Sequence, residues 1–425
     1  MTMSTHIVPR AARGWTIQPW PVLCLVTGIA SLTDFQIVGR IMGTEVLGIL
    51  FVLGLAMFGR PPMPDRLTTR LIGLALLWLV AQFVSDLVNQ SRWDNSLRGL
   101  ARAGATMIML YGLHVMLGNR VRRVHVMFLG LAIGGCVAPL LAQEGEDFGD
   151  PWKFGYGTPV TMFCMVAATW LWRLRLRSLA LLPPLLIALV NIFLGYRSMA
   201  GIALAVFFIQ MLVIIFGTLH VVTGRQALFL SLLAGGLVGG IIPLYGVAAE
   251  AGWLGEGQQE RYLEQVNDQY GILLSGRTEW RIAPLAFLEK PLLGHGSWAE
   301  DERYAQMSWE IFTGSTEAMP PGFSMLIPSH SHLLGALVEG GILSGLFWFM
   351  VLFLLGHSVI TLVRHPILID PIISFVLFCL GWAVLFSPYG LGNRVFACFA
   401  IITMTVLLQQ ARQLEQSSAR LPRVP

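Results

Sequence analysis

The sequence predicts an all-α, polytopic membrane protein of about twelve spans with one large loop outside the bilayer. Three observations carry this. Only 12% of the 425 residues are charged and 55% are hydrophobic, with a mean hydropathy of +0.68, whereas a soluble domain carries roughly 25% charged residues. Apolar runs of membrane-crossing length, about 20 residues, recur along the chain. Arginines collect in alternate connections between those runs, as the positive-inside rule requires.

Taken in order, the apolar runs predict spans near 17–32, 38–58, 69–89, 99–118, 124–142, 157–172, 178–195, 199–218, 226–248, 333–356, 368–387 and 391–410. Arg10 and Arg13 precede the first run, but no small-x-small site follows it, so a cleaved signal peptide is not expected. With the amino terminus inside, the cytoplasmic connections hold Arg60/Arg66/Arg70, Arg120/Arg122/Arg123, Arg173/Arg175/Arg177, Arg225 and Arg364, and the tail adds Arg412, Arg420 and Arg423. The opposite side receives the acidic stretch 144–150 and the loop 250–332, which has 12 Asp/Glu and 5 Lys/Arg, a net −7. The expected organisation is therefore spans 1–9 over residues 1–249, the outer loop over 250–332, and spans 10–12 with a cytoplasmic tail over 333–425. Both termini are expected in the cytoplasm.

Composition also excludes. Cys24, Cys136, Cys164, Cys379 and Cys398 all fall in apolar runs without CxxC spacing, which supports neither a disulfide framework nor a zinc site. The net charge of +4 is accounted for by arginines at the short connections and calls for no nucleic-acid partner. No P-loop, dinucleotide fingerprint, nucleophile elbow or zinc-protease helix is present.

The loop is too long to be structureless. Residues 258–270 (QQERYLEQVNDQY) read as a helix of mixed charge. Residues 278–288 read as a second helix, with Trp280, Leu285, Phe287 and Leu288 as an interfacial apolar face and Pro284 within tolerance of its first turn. Residues 300–324 are polar and are expected to be mobile.

Chemistry-bearing residues concentrate at the borders of that loop. Arg197 stands in a break between two apolar runs, where an arginine either anchors at the interface or faces a polar cavity. Arg277 and Arg281 are four apart, hence on one face if that segment is helical; two guanidiniums there suit a phosphate or pyrophosphate, or ion pairs with Glu264 and Glu279. His330 and His332 precede an apolar run, and either suits a general base near neutral pH. Their i, i+2 spacing without a carboxylate or thiol partner makes a poor metal motif, and Ser329 or Ser331 also suits a helix cap. His295 lies between two glycines and reads as a turn residue. Gly340, Gly341 and Gly345 suggest close helix packing. Asp86 and Arg102 are candidates to pair with each other, Glu45 faces a cavity, and Arg394 is a further phosphate-facing cation. Asp34, Arg92, Asp94 and Arg98 mark outer span ends and read as structural.

The ordered motifs resemble the O-antigen polymerase and O-antigen ligase superfamily of bacterial membrane glycosyltransferases. The matching residues are Gly195-Tyr196-Arg197-Ser198, then 275–280 (SGRTEW), then Pro291-Leu292-Leu293-Gly294-His295-Gly296, then His330-Ser331 with Glu339 and Gly341 at the family's spacing. The likeness covers about 190–350. Where the family continues His-Asn, this chain has Ser331; where a second glycine is expected it has Ser344, with Gly345 next. His332 is thus an alternative counterpart of the motif histidine.

The resemblance implies a multi-helix fold of the GT-C type in the bacterial inner membrane, with its active site facing the periplasm. It implies a polyprenyl-diphosphate-linked glycan donor and no metal or other cofactor. Carried over position by position, Arg197 and Arg277 hold the diphosphate, and His330 is the base or orienter for the acceptor hydroxyl. Arg281, His332, Arg394 and Glu339 complete the expected substrate-binding set.

The stretch from Asp86-Leu87-Val88 to Leu97-Arg98-Gly99 is more similar to exopolysaccharide polymerases. Polymerisation of repeat units, with a chain-length regulator as a further partner, is therefore the first expectation. Ligation to lipid A core is the second. A lipid-linked glycan transporter is a rival, but paired broken helices or internal repeats are its usual mark and neither is seen. A non-catalytic assembly subunit is another rival.

Overall fold

The computed structural model describes residues 18–37, 39–59, 61–141, 150–216, 246–253, 255–267, 277, 279–314 and 316–420, with isolated positions between 236 and 243. It is a helical bundle, and its one named sheet is a two-stranded hairpin, β1 Asp34–Gln36 and β2 Arg40–Met42. The helices are α1 Pro19–Ile29, α2 Gly43–Phe58, α3 Arg66–Val88, α4 Trp93–Leu117, α5 Val121–Leu141, α6 Gly157–Arg173, α7 Leu182–Phe193 and α8 Arg197–Phe216. The loop region contributes α9 Glu256–Asn267, α10 Glu279–Glu289 and α11 Glu302–Thr313. The chain ends with α12 His332–Arg364, α13 Pro371–Phe386 and α14 Leu391–Arg420.

Among the described residues, α3, α4, α5, α8, α12 and α14 are long and apolar enough to cross a membrane, and shorter apolar helices lie at Pro19–Leu32, Gly43–Phe58, Leu179–Phe193 and Pro371–Phe386. The expected span 226–248 falls largely outside the described residues.

Local chemistry sets the helix starts. Asp65 accepts from the Leu67 and Thr68 amides at the start of α3, Asp370 from Ile373 at α13 and Ser331 from Leu334 at α12, each satisfying an amide that the helix itself leaves unpaired. The core is aromatic at its centre. Trp78, Phe128, Phe347, Trp348, Phe375 and Phe399 are fully buried, and between α3 and α12 Trp78 stacks on Phe347 while Trp348 meets both edge-on.

Helix α12 is bent at Gly341, whose φ of 68° interrupts the helical path. The segment 291–296 fills the bend. Ile342 N donates to Pro291 O, His295 N to Val338 O and Gly296 N to Glu339 O, at 2.7–3.0 Å. A Cβ on Gly341 would stand 2.2 Å from Leu292 O, and one on Gly294 (φ 69°) 2.6 Å from Val338 O. The Gly-rich sequence seen as a packing signal is thus a backbone-to-backbone lock.

The loop corrects several expectations. Residues 300–324, expected to be mobile, contain α11, which Asp301 caps and Gly314 ends in the left-handed region. Arg303 bonds Glu289 and Asp301, and the Tyr304 hydroxyl donates to Glu289 Oε2 at 2.6 Å. Those bonds hold the Glu289 carboxyl below its ordinary range. Burial and the bond to Glu289 push the Tyr304 hydroxyl up to about 12. Helices α10, α11 and the start of α12 share a small core of Ile282, Ala283, Ala286, Tyr304, Ile327, Leu334 and Val338.

Leu285 and Leu288 are exposed as expected of an interfacial face, but Trp280 and Phe287 turn inward, against α13 and the main core. Pro284 lies beyond the first turn of α10. His295 is a turn residue but a buried one, its Nε2 2.8 Å from Ala286 O.

Candidate functional site

Helix α13 has 16 residues, about 24 Å, short of the roughly 30 Å hydrocarbon core of a bilayer. Its last intrahelical bond is Ser387 N to Ala383 O. The carbonyls of Val384, Leu385, Phe386 and Ser387 therefore need other donors, most of all where no water reaches them.

Four side chains from the loop and its borders supply these donors. Ser331 Oγ donates to Val384 O at 2.8 Å, Trp280 Nε1 to Leu385 O at 3.0 Å, Arg277 Nη1 to Phe386 O at 2.6 Å, and His332 Nδ1 to Ser387 O at 2.7 Å. Residues more than fifty positions apart in sequence thus meet on consecutive carbonyls.

A cation at this end also opposes the partial negative charge of the helix terminus. The Arg277 guanidinium lies over the rings of Trp382 and Phe386, at 5.3 and 5.2 Å, and Glu279 stands 3.5 Å from Nη1. Among the described residues no hydrogen bond engages its Nε or Nη2. Arg277 thus holds the helix end through one of the five N–H donors of its guanidinium.

The two motif histidines differ sharply. His332 is 1% exposed, packed edge-on against Trp348 and Tyr389. Because its Nδ1 donates, Nε2 carries the lone pair, and that atom is buried without a partner among the described residues. His330, two residues earlier, is exposed.

The other expected residues fall as follows. Arg197 is the first residue of α8 and is half-buried. The preceding Tyr196 bonds Thr158, and α8 packs along α13. The amino end of α13 meets the carboxyl end of α6, with Ile372 N on Thr169. Chain reversal through α7 then puts Arg197 and Phe386 at the same end of the bundle. Arg281 is half-buried in the first turn of α10. Arg277 precedes that helix, so the expectation of two arginines on one helical face does not hold.

Glu339 and Arg394 are corrections. Glu339 forms a buried ion pair with Arg102, while Ser85 Oγ donates to its main-chain oxygen at 2.7 Å. Asp86, the partner expected for Arg102, instead accepts from the Ser297 amide and hydroxyl at 2.6 and 2.8 Å. Arg394 grips both oxygens of fully buried Glu45, at 2.5 and 2.6 Å, and Arg40 O at 3.2 Å. A carboxylate thus answers the cation expected to face a phosphate, and the cavity expected at Glu45 is filled by that guanidinium. Among the described residues no cluster of His, Cys, Asp or Glu is arranged to hold a metal ion.

Trp280, Trp382 and Tyr389 also belong to this corner, beyond the residues that the sequence points to. Their signal in sequence was weak: Trp280 read as a membrane-facing residue, and the other two sit in or beside apolar runs. No family model, curated protein or solved structure matches the chain.

Proposed function

We propose that the chain is a metal-independent membrane glycosyltransferase that moves a glycan from a polyprenyl diphosphate, joining repeat units of an O-antigen or exopolysaccharide at the periplasmic face of the bacterial inner membrane. One observation carries the reading: Arg277 and His332 donate to the neighbouring carbonyls of Phe386 and Ser387 at one helix end, and His330, two residues before His332, is exposed. That pairing suits the chemistry. A bond from the anomeric carbon to the diphosphate breaks as the acceptor hydroxyl attacks. Charge grows on the leaving diphosphate, which fixed guanidinium donors stabilise. The hydroxyl proton passes to a positioned imidazole.

In this reading Arg277, with Arg197 at the same end of the bundle, holds the diphosphate. His330 is the base because it is open to an acceptor. His332 is sealed behind Ser387 and sets the position of the motif. Arg281 adds positive charge near the diphosphate.

The test is reconstitution in liposomes with a synthetic polyprenyl-diphosphate oligosaccharide, alone and with lipid A core, with products read by gel and mass spectrometry. Ladders from the single substrate that vanish in His330→Ala support polymerisation. Product formed only with lipid A core moves the reading to ligation. Glycan output unchanged in both Arg277→Ala and His330→Ala sinks it in favour of transport or assembly.

A further inference from the structure

A cleft of about 430 Å³ opens beside the Arg102–Glu339 pair, outside the corner just described. One wall is formed by the first two turns of α4, with Asp94, Asn95 and Arg98. The other is formed by Trp298, Glu300 and Ser324. Its volume lies in the range of small-molecule sites. Both loop strands of the second wall are tied: Glu300 pairs with Leu326 in an antiparallel bridge, Asp301 N donates to Met325 O and Ile327 N to Ala299 O.

Trp298 is held in an unusual way. Its φ is 48°, a region that bulky side chains seldom enter. The residue before it is pinned by Asp86 and by Gln82 Nε2, which donates to Ser297 Oγ at 2.8 Å. The Arg102 guanidinium carbon lies 4.8 Å from the Trp298 ring centre, and Arg102 is itself anchored by Glu339. Trp298 lines the cleft and is backed by Arg102. Backbone conformations of this kind persist where the surroundings over-determine them, and they cluster at ligand sites.

The lining selects a ligand class. Two carboxylates, Asp94 and Glu300, balance two guanidiniums, Arg92 and Arg98, so the lining offers a phosphate or a bare metal ion no excess of opposite charge. Met325 and Leu326 are too small an apolar patch for a lipid tail. A rigid indole surface beside planar carboxylate, amide and guanidinium groups matches a ring with apolar C–H faces and a hydroxyl-rich edge. We propose that this cleft binds a sugar residue of the acceptor glycan, with Trp298 as its platform and Asp94, Asn95 and Glu300 bonding its hydroxyls. The site deepens the glycosyltransferase reading, on which the identity of the glycan rests.

The experiment uses the full-length protein in nanodiscs on an array of unlipidated oligosaccharides representing bacterial repeat units. Wild type is expected to retain a subset. Trp298→Ala is expected to lose about tenfold in affinity, with Trp298→Phe retaining most of it. Because Trp298→Ala also uncovers Arg102, Ser324→Trp is the second variant. It fills the cleft from its exposed rim, and it is expected to abolish retention with an unchanged melting temperature. In the transfer assay Ser324→Trp is expected to raise the acceptor KM and leave kcat unchanged, whereas Arg277→Lys lowers kcat and leaves retention on the array unchanged. Retention equal in wild type and Ser324→Trp, or no glycan retained by wild type, overturns the proposal. Variant-sensitive retention without transfer in any assay keeps the cleft as a glycan site and removes the transferase reading alone.

Discussion

Arg277 and Arg394 stand at the same end of the bundle, each buried in part and each close to a glutamate, yet their partners make them opposites. Arg394 has a carboxylate in the forked geometry that a guanidinium fits best, with Glu45 wholly inaccessible. Its charge is cancelled and its donors are largely used. Arg277 meets a carbonyl at 2.6 Å and a carboxylate only at 3.5 Å. The carboxylate contact of Arg277 is single and longer, so its fork is not closed by an acid as that of Arg394 is. The first arrangement suits a strut, the second a binding site, and sequence spacing does not separate the two.

That contrast is sharpened first at the strut. Arg394→Gln strands a buried carboxylate and is expected to cost about 3–5 kcal/mol, whereas the double variant Glu45→Gln/Arg394→Gln recovers a large part. Unfolding in detergent measures both, and a double variant as unstable as the single one breaks the argument.

The bend of α12 comes next. Gly341→Ala forces a Cβ against Leu292 O at a residue with positive φ, with an expected loss of about 2–4 kcal/mol on the same assay.

At the site, Arg277→Lys keeps the charge but loses the fork, and a fall in transfer rate of about a hundredfold is expected. Stability should change far less than in Arg394→Gln. Wild-type turnover would count against the diphosphate role.

The smallest effect concerns acid. Glu289 and Asp301 both have folded-state carboxyls held below their ordinary values of 4.5 and 3.8. Tyr304 and Arg303 do this for Glu289, and Arg303 does it for Asp301 against the opposing effect of burial. Their contribution is therefore present above those values and is lost as pH falls through the lower folded ones. Protection factors over 302–313, taken against the slower intrinsic exchange in acid, are expected to fall below about pH 4, while those of α13 hold.

Much of this was legible in the sequence because it is local. Apolar runs announce most of the long helices, and the motif order brings Arg277, Ser331 and His332 into one frame before any coordinates. Helix α11 was missed because its polarity looked like that of a mobile loop, although Asp301 before it and Gly314 after it are start and stop signals. The partners of Glu339, Asp86 and Glu45 were illegible for another reason. Nothing in a run of apolar residues says which charge hundreds of positions away will meet it. The capping of α13 is of the same kind. It follows from a helix shorter than the bilayer, and helix length is set by the chain's path as much as by composition.

The separations within those pairs bear on how the protein is made. Asp86 waits for Ser297, 211 residues downstream, Arg102 for Glu339, 237 downstream, and Glu45 for Arg394, 349 downstream. At ordinary elongation rates the last delay is on the order of tens of seconds. During that time the first four helices must be inserted with their charges unanswered, sheltered by the insertion machinery or by water at the interface. The amino-terminal half is thus a partner in waiting, and co-expressed halves split between α8 and α10 should assemble where either half alone is degraded.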